Sequence, residues 1–300
     1  MRVRFSARPE AWHAWAAPLR KACPEMTLAL DGPPESFDAI IYAPGGDIED
    51  FTPYRRVRLV QSLWAGVERI VTNPTLTQPL ARMVDPGLAR GMAEYCTGWV
   101  LRAHLGMDNY AQDGVWRNGQ IPPLASERQV TILGMGALGK AVAASLLGLG
   151  FRVSGLSRSG ASVDGVEITT DLSAALARAE ILVCLLPDTP ETRDLLDAPH
   201  LRMLPQGAWI INPGRGTLID EAALCAALDR GDLAHTVLDV FRTEPLPREH
   251  PFWVHPRITV TPHIAAETRP ETAAPVVAAN LRASLAGRPV AHLVDRARGY

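Results

Sequence analysis

From residue 130 onward, short apolar runs alternate with stretches of helical periodicity. Breaks rich in Gly, Pro and Asn separate the two kinds of segment. The apolar runs occupy residues 130–133, 152–156, 181–186, 208–211, 236–240 and 258–260, and helical patterns include residues 138–147, 171–177 and 220–229. Strands that alternate with helices are typical of βαβ units, in which a parallel sheet is buried on both faces. The pattern therefore predicts an α/β fold with a Rossmann-type, doubly wound parallel sheet.

The first ninety or so residues show a looser version of the same pattern. Strands are predicted at residues 2–5, 39–42 and 57–60, with helices near residues 9–19 and 78–89. We expect a second, smaller α/β domain here, joined to the larger one by a long helix over residues 93–110. We also expect the helical stretch 273–285 and the tail 290–300 to return to this first domain. The predicted boundaries are residues 1–95 with 269–300 for the smaller domain, and 96–268 for the larger.

A glycine motif follows the first apolar run of the larger domain and opens its first predicted helix. The motif is Gly134-Met135-Gly136-Ala137-Leu138-Gly139. In G-x-G-x-x-G the first glycine permits a tight turn, the second lets the backbone approach a pyrophosphate, and the third lets helix and strand pack closely. The helix N-terminus then presents amides to the phosphates. The context of strand, turn and helix predicts a dinucleotide site.

The end of the next predicted strand indicates which dinucleotide binds. NAD sites usually carry an acidic residue here that holds the ribose 2′-hydroxyl. This chain instead has Ser157, Arg158 and Ser159. A guanidinium flanked by hydroxyls suits a 2′-phosphate, so NADP(H) is the preferred prediction and NAD(H) stays possible. The alternative is that Arg158 only points to solvent.

Three side chains that suit carboxylate binding or proton transfer follow three later strands. They are Arg215, Glu244 and His263, and the carboxyl ends of parallel strands are where such sheets bind ligands. An Arg can hold a carboxylate through two parallel hydrogen bonds, and an imidazole can pass a proton near neutral pH. A Glu bonded to the other ring nitrogen would set the His tautomer. Together these groups suit the reduction of a 2-keto acid.

Composition and charge exclude several other classes. The chain has 300 residues, with 30 Lys+Arg against 32 Asp+Glu, and lacks a long basic run, so we expect no nucleic-acid partner. No apolar stretch approaches the ~18 residues of a membrane span. The four cysteines are scattered and form no C-x-x-C pair, and the histidines have no metal-ligand spacing, so we predict no metal site. These features favour a cytoplasmic protein with reduced thiols.

The chain resembles the D-isomer-specific 2-hydroxyacid dehydrogenases, and most closely their glyoxylate/hydroxypyruvate reductase A branch. The resemblance covers essentially the whole length. It is carried by GMGALG (134–139), LLPDTPETRDLL (185–196), NPGRGTLIDEAAL (212–224), LDVFRTEPLP (238–247), HPRITVTPHIAAETRP (255–270) and VDRARGY (294–300). It implies a flavodoxin-like substrate domain made of both chain ends, and a homodimer. It also implies that Arg215, Glu244 and His263 are catalytic, with His263 as general acid.

The resemblance extends to cofactor and substrate residues. Beyond the glycine motif and residues 157–159, it implies cofactor contacts from Leu186, Pro187, Thr192, Asn212, Pro213, Gly214, Asp239 and Ala265. At Asp239 a role in capping the turn is an equal alternative to contact with the nicotinamide carboxamide. Gly214 stands where this branch often has Ala, a difference that we expect to be silent.

A substrate loop is implied around Ala65 and Gly66, whose amides would help to hold a carboxylate. Trp64 departs from the Gly of many relatives, and Glu68 replaces their Asp. Tyr42 falls where this branch tends to place an aromatic ring over the substrate, although packing within its own domain is an equal alternative. Substrate contacts are also expected from Arg215 and His263.

The predicted activity is NADPH-dependent reduction of glyoxylate to glycolate and of hydroxypyruvate to glycerate. The alternatives are a nicotinamide-binding regulatory protein of the corepressor kind on the same fold, and a dehydrogenase for another 2-hydroxy acid.

Overall fold

The computed structural model of the chain describes residues 1–110, 114–116, 118, 121–297 and 299. The N-terminal elements are β1 (Arg2–Ser6), α1 (Pro9–Ala22), β2 (Thr27–Ala29), β3 (Ala39–Tyr42), β4 (Val60–Ser62), α2 (Glu68–Val71), β5 (Leu80–Ala81) and α3 (Pro86–His104). They are followed by β6 (Gln129–Leu133), α4 (Ala137–Gly148), β7 (Arg152–Leu156), β8 (Glu167–Thr169), α5 (Leu172–Leu176), β9 (Ile181–Cys184), α6 (Ala198–Leu201), β10 (Ala208–Asn212), α7 (Glu221–Arg230), β11 (Leu233–Leu238), β12 (Ile258–Val260) and α8 (Pro270–Leu285).

These strands form two parallel sheets. The N-terminal sheet has the order β2-β1-β3-β4-β5, and the second sheet has the order β12-β11-β10-β9-β6-β7-β8. The first order is that of flavodoxin-like folds. The second places β6 at the switch point of a doubly wound sheet, with β7 and β8 on one side and β9 to β12 on the other. The predicted fold class is confirmed.

Two compact units contain these sheets. One comprises Met1–Leu88 with Glu267–Tyr300, and the other comprises Ala89–Ala266. The first boundary falls inside α3, seven residues before the one predicted from the sequence. In the first unit α8 packs with α1 in one core cluster, and Leu293 forms a bridge to Ala81 of β5. Arg298 and Tyr300 of the C-terminal motif lie outside the described residues. The assignment of separate substrate and dinucleotide domains stays a prediction.

Alternate residues of the central strands build a core on each face of both sheets. In β3, Ile41 packs in the cluster that contains α1 and α8, and Ile40 packs on the opposite face. In β9, Leu182 and Val183 likewise belong to different clusters. All four side chains are fully buried, and each burial contributes about 1.5–3 kcal/mol. This two-sided burial explains why the central strands appear in the sequence as continuous apolar runs.

Several element boundaries predicted from the sequence are wrong. The helix expected at residues 78–89 is wrong for its first eight residues, because β5 occupies Leu80–Ala81 and α3 starts only at Pro86, a favoured first helical residue. The long helix ends at His104 and not at residue 110, and Gly106 follows with φ of 61°. The strand expected at residues 57–60 lies at Val60–Ser62, and that expected at 236–240 lies at Leu233–Leu238.

The helices of the described residues include none that is both long and apolar enough to span a bilayer. Within the same described part of the chain, no three His, Cys, Asp or Glu side chains cluster as metal ligands would.

The third glycine of the motif provides a test of packing. A Cβ at Gly139 would lie 2.0 Å from the carbonyl oxygen of Gly134, whereas a Cβ at Gly148, in the same helix α4, would meet nothing within 4 Å. We expect Gly139→Ala to lower the free energy of unfolding by roughly 1–3 kcal/mol through overpacking. We expect Gly148→Ala to raise it by up to about 1 kcal/mol, because Ala costs less entropy in a helix. Urea denaturation without coenzyme measures both, and equal stabilities would contradict this assignment.

Candidate active site

Three adjacent strands end side by side at the carboxyl edge of the second sheet. The register pairs Asn212 of β10 with Leu238 of β11, and Leu238 with Val260 of β12. Neighbouring strands lie about 4.8 Å apart. The segments after these strands, residues 213–216, 239–244 and 261–265, therefore emerge at one edge. This edge carries the predicted catalytic trio.

Glu244 and His263 form a direct pair at this edge. His263 Nδ1 and Glu244 Oε2 lie 2.8 Å apart, and the other carboxylate oxygen accepts the backbone N–H of Phe241 at 2.9 Å. Because a carboxylate only accepts, Nδ1 carries the proton in this bond. The remaining ring nitrogen, Nε2, is then the one that can face a substrate. The imidazole is about half exposed, whereas the carboxylate is more covered.

Arg215 lies in a tight loop held against the same segment. The side-chain amide of buried Asn212 donates to the Arg215 carbonyl and accepts from the Gly214 N–H. A Cβ at Gly216 would lie 2.1 Å from the carbonyl carbon of Phe241, so the loop after β10 touches the loop after β11. Arg215 is thus anchored beside the segment that ends in Glu244.

The expectation that Gly214, in place of the Ala of this branch, is silent stays a prediction, but the reverse change to Ala meets a steric conflict in this chain. A Cβ there would lie 2.7 Å from the backbone oxygen of Cys184 at the end of β9. Two backbone segments would have to separate to admit it, so this chain requires glycine at the position.

Asp239 organises the turn that carries His263. Its fully buried carboxylate accepts the Thr261 hydroxyl at 2.6 Å and the backbone N–H groups of Ile264 and Ala265 at 2.9 Å. Its backbone oxygen accepts the His263 N–H at 2.9 Å. These contacts match the turn-capping alternative for Asp239. They also hold His263 at φ of 55°, which costs a non-glycine residue about 1–2 kcal/mol.

The glycine loop follows β6 at the switch point. Gly134 has φ of 105°, and a Cβ there would lie 2.7 Å from the Leu185 oxygen, so the fold itself needs this glycine. At Gly136, the residue before α4, a Cβ would meet no atom of the described residues within 4 Å. No atom in this described part of the chain therefore requires glycine at Gly136, and the space beside its backbone suits a ligand that approaches closely. The first amides of α4 point the same way, since the first N–H groups of a helix have no carbonyl partner within the helix and attract phosphate.

The other predicted cofactor residues lie on the loops around this one. Exposed Arg158 sits at the carboxyl end of β7, next to β6 in the sheet, and the Ser157 and Ser159 hydroxyls lie 3.1 Å apart. In the loop after β9, the Thr192 hydroxyl donates to the Pro187 oxygen at 2.6 Å. The remaining predicted contacts are Ala137 and Leu138 at the start of α4, and Met135, Leu186, Pro213 and Ala265 in loops that follow strands.

The predicted substrate residues belong to the first unit. The register pairs Tyr42 of β3 with Ser62 of β4, so Tyr42 and the 64–66 loop share one sheet edge. The Tyr42 ring packs edge-on against Phe51, with centroids 5.2 Å apart. Trp64 is 38% exposed, and its backbone N–H donates to the Ser62 hydroxyl. Substrate contact by these residues, and by Ala65 and Gly66, stays a prediction.

Two cysteines near the sheet are inert thiols. Burial raises the pKa of Cys96 in α3 and of Cys184 in β9, so both stay protonated and poorly nucleophilic.

One further contact of helix α3 was not predicted from the sequence. The Tyr95 hydroxyl lies 2.7 Å from the Thr261 hydroxyl. The two residues are 166 positions apart, and no local pattern connects them.

Comparison with known proteins identifies the family. Residues 99–265 match the family described as D-isomer specific 2-hydroxyacid dehydrogenase, NAD binding domain. A protein named glyoxylate/hydroxypyruvate reductase A from Serratia proteamaculans is 42% identical over 82% of each chain.

Solved structures agree over the whole length. A D-isomer specific 2-hydroxyacid dehydrogenase from Xanthobacter autotrophicus Py2, in complex with NADPH and MES, is 36% identical with a TM-score of 0.94 over 99% of each chain. An NADPH-dependent glyoxylate/hydroxypyruvate reductase from Sinorhizobium meliloti, in complex with NADP and sulfate, is 32% identical with a TM-score of 0.88. The match covers 100% of this chain and 99% of the Sinorhizobium meliloti chain. The chain therefore belongs to the D-isomer-specific 2-hydroxyacid dehydrogenase family of oxidoreductases.

Proposed function

We propose that the protein reduces small 2-keto acids with NADPH, converting glyoxylate to glycolate and hydroxypyruvate to glycerate. The observation that carries the proposal is the 2.8 Å bond between His263 and Glu244 at the sheet edge that also bears Arg215 and the glycine loop. Support comes from the relatives, which are named for this activity, and from the two structures described with NADPH or NADP.

In the proposed mechanism Arg215 binds the substrate carboxylate through its guanidinium. This fixes the keto group at His263, whose Nε2 donates a proton to the carbonyl oxygen. The reduced nicotinamide, when bound, supplies the hydride to the carbonyl carbon. Glu244 keeps its bond to Nδ1 throughout. It therefore orients the His263 ring and stabilises its protonated form before Nε2 gives up the proton.

The residues present fit the coenzyme. The space at Gly136 and the amides of α4 suit its pyrophosphate, and Ser157, Arg158 and Ser159 would take the 2′-phosphate of NADP(H). NAD(H), which lacks that phosphate, is the weaker alternative.

The direct test is loss of reduced-nicotinamide absorbance with a panel of 2-keto acids and both coenzymes. Turnover with glyoxylate or hydroxypyruvate and NADPH is the expected result. Coenzyme binding without turnover of any 2-keto acid would favour a regulatory protein instead. Turnover confined to other 2-hydroxy acids in the oxidative direction would favour the other dehydrogenase.

Arg158→Asp is expected to weaken NADPH binding by roughly 10- to 100-fold, because a charge-assisted bond is lost and a like charge is added. NADH affinity should change little. The matched control is Arg152→Asp, the same charge change at the opposite, exposed end of β7. Fluorescence titration with each coenzyme measures both variants. Unchanged NADPH affinity in Arg158→Asp would mean that this side chain only faces solvent.

We further propose a homodimer, formed through the exposed apolar side chains that follow α3. Trp116 and Ile121 are about 90% exposed in the single chain, and Leu124 is 71% exposed. Large apolar side chains that are this exposed in a single chain are available to a second copy, which would bury them. Light scattering should give twice the chain mass, and Trp116→Ser should shift the equilibrium toward monomer. A wild-type monomer at all concentrations would contradict the proposal.

The proposed location is the cytoplasm, since all four cysteines are free thiols, as in a reducing compartment. Cell fractionation tests it.

A further inference from the structure

A chain of hydrogen bonds links helix α3 to the turn that carries His263. The Tyr95 hydroxyl lies 2.7 Å from the Thr261 hydroxyl, which in turn donates to Asp239 Oδ1 at 2.6 Å. The same carboxylate accepts two backbone N–H groups from the residues that follow His263. One continuous path therefore runs from a tyrosine in a helix to the backbone on either side of the imidazole.

The direction of each bond follows from donor and acceptor chemistry. A carboxylate only accepts, so the single hydroxyl proton of Thr261 is committed to Asp239. The Thr261 oxygen must then accept from Tyr95. Burial raises the pKa of Tyr95, which keeps the phenol protonated as this donor requires. Tyr95 thus donates to Thr261 and orients the Thr261 hydroxyl toward the buried carboxylate.

This orientation matters because the turn is strained where it carries the imidazole. His263 has φ of 55°, and the contacts that hold it there converge on Asp239. If the Thr261 hydroxyl loses its donor, only its bond to Asp239 still orients it, and the start of the turn is held by one contact fewer. The imidazole could then drift from Glu244 while Arg215, on a different loop, stays in place.

We propose that Tyr95 is a positioning residue for the reduction, which acts through Thr261 and Asp239 to hold His263 in its proton-donating orientation. The proposal rests on the proposed function of His263. It assigns Tyr95 a contribution to the chemical step without any contact with the substrate.

Tyr95→Phe removes only the hydroxyl. We expect it to lower kcat for glyoxylate reduction roughly three- to tenfold, the effect of one net hydrogen bond. KM and the NADPH dissociation constant should stay within about twofold of the wild-type values, because the carboxylate anchor and the coenzyme loops are untouched.

Variants of Thr261 test the same path. Thr261→Val should lower kcat at least as much as Tyr95→Phe does, and Thr261→Ser, which keeps the hydroxyl, should retain activity. The double variant Tyr95→Phe/Thr261→Val should be no worse than Thr261→Val alone, since both changes break one path.

A matched control distinguishes positioning from mere anchoring of the helix. Thr97, also in α3, has its hydroxyl 2.9 Å from that of Ser145 in α4, a bond that does not reach Asp239. Thr97→Val should leave kcat unchanged. A normal kcat in Tyr95→Phe, or an equal loss in Thr97→Val, would overturn the inference.

The proposed function can be tested separately from the role of Tyr95. If wild-type protein turns over glyoxylate and His263→Asn does not, the function stands whatever Tyr95→Phe shows. Absence of wild-type turnover with every 2-keto acid would remove the proposed function and this inference together.

Discussion

Replacing His263 by Asn is expected to lower kcat for glyoxylate reduction by a factor of ~10²–10⁴, the usual loss for a positioned general acid. Asn is the informative substitution because it tolerates the left-handed backbone that His263 adopts at φ of 55°. The fold should therefore survive, and the NADPH dissociation constant should change little. Steady-state kinetics and coenzyme titration measure the two effects.

His255 provides the matched control for this variant. It also pairs with an acid, with Nε2 lying 3.3 Å from Asp229 Oδ1, but it precedes β12 and so lies at the opposite edge of the sheet. His255→Asn should keep kcat near the wild-type value. A wild-type rate in His263→Asn would remove His263 as the proton donor.

Arg215→Ala is expected to raise KM for glyoxylate and to lower kcat together. The same guanidinium binds the carboxylate in the ground state and in the transition state, so both parameters depend on it. Loss of a charge-assisted pair costs about 1.5–3 kcal/mol, or roughly 10- to 150-fold in kcat/KM. Arg215→Lys, which keeps the charge without the two-pronged geometry, should fall between Ala and wild type.

Arg242 provides a control for the Arg215 variants, because it is a second arginine at the carboxyl edge of the same sheet. Its guanidinium donates to the Ile219 oxygen at 2.7 Å and to the Asp194 carboxylate, and it takes no part in the proposed mechanism. Arg242→Lys should leave KM for glyoxylate near wild type. If Arg215→Ala keeps a normal KM, the carboxylate is held elsewhere.

Strands with a clear apolar run were the most predictable elements. The predicted bounds of β7 and β12 agree with Arg152–Leu156 and Ile258–Val260. The edge strands β2 and β8 were missed, because Thr27–Ala29 and Glu167–Thr169 are three residues long and each begins with an exposed polar residue. A strand at the edge of a sheet has no need of a continuous apolar run.

Buried polar residues account for a further error. Strand β4 contains Gln61 and Ser62, which are fully buried although the sequence reads as a polar break. The Gln61 amide donates to the oxygens of Ser62 and Ala81, so its burial is satisfied by partners that only the folded chain provides. Local patterning cannot show such a partner, and the predicted strand was therefore placed three residues too early.

Local sequence patterns were enough to predict the kind of sheet, the glycine loop and the strand ends after which Arg215, Glu244 and His263 follow. Hydrophobic periodicity and motif spacing are local properties, so they can be read along the chain. The contacts between side chains became visible only in the folded chain: the bond between His263 and Glu244, the turn around Asp239, and the link from Tyr95 to Thr261. Those contacts depend on the register of neighbouring strands and on the docking of α3, which join residues up to 166 positions apart.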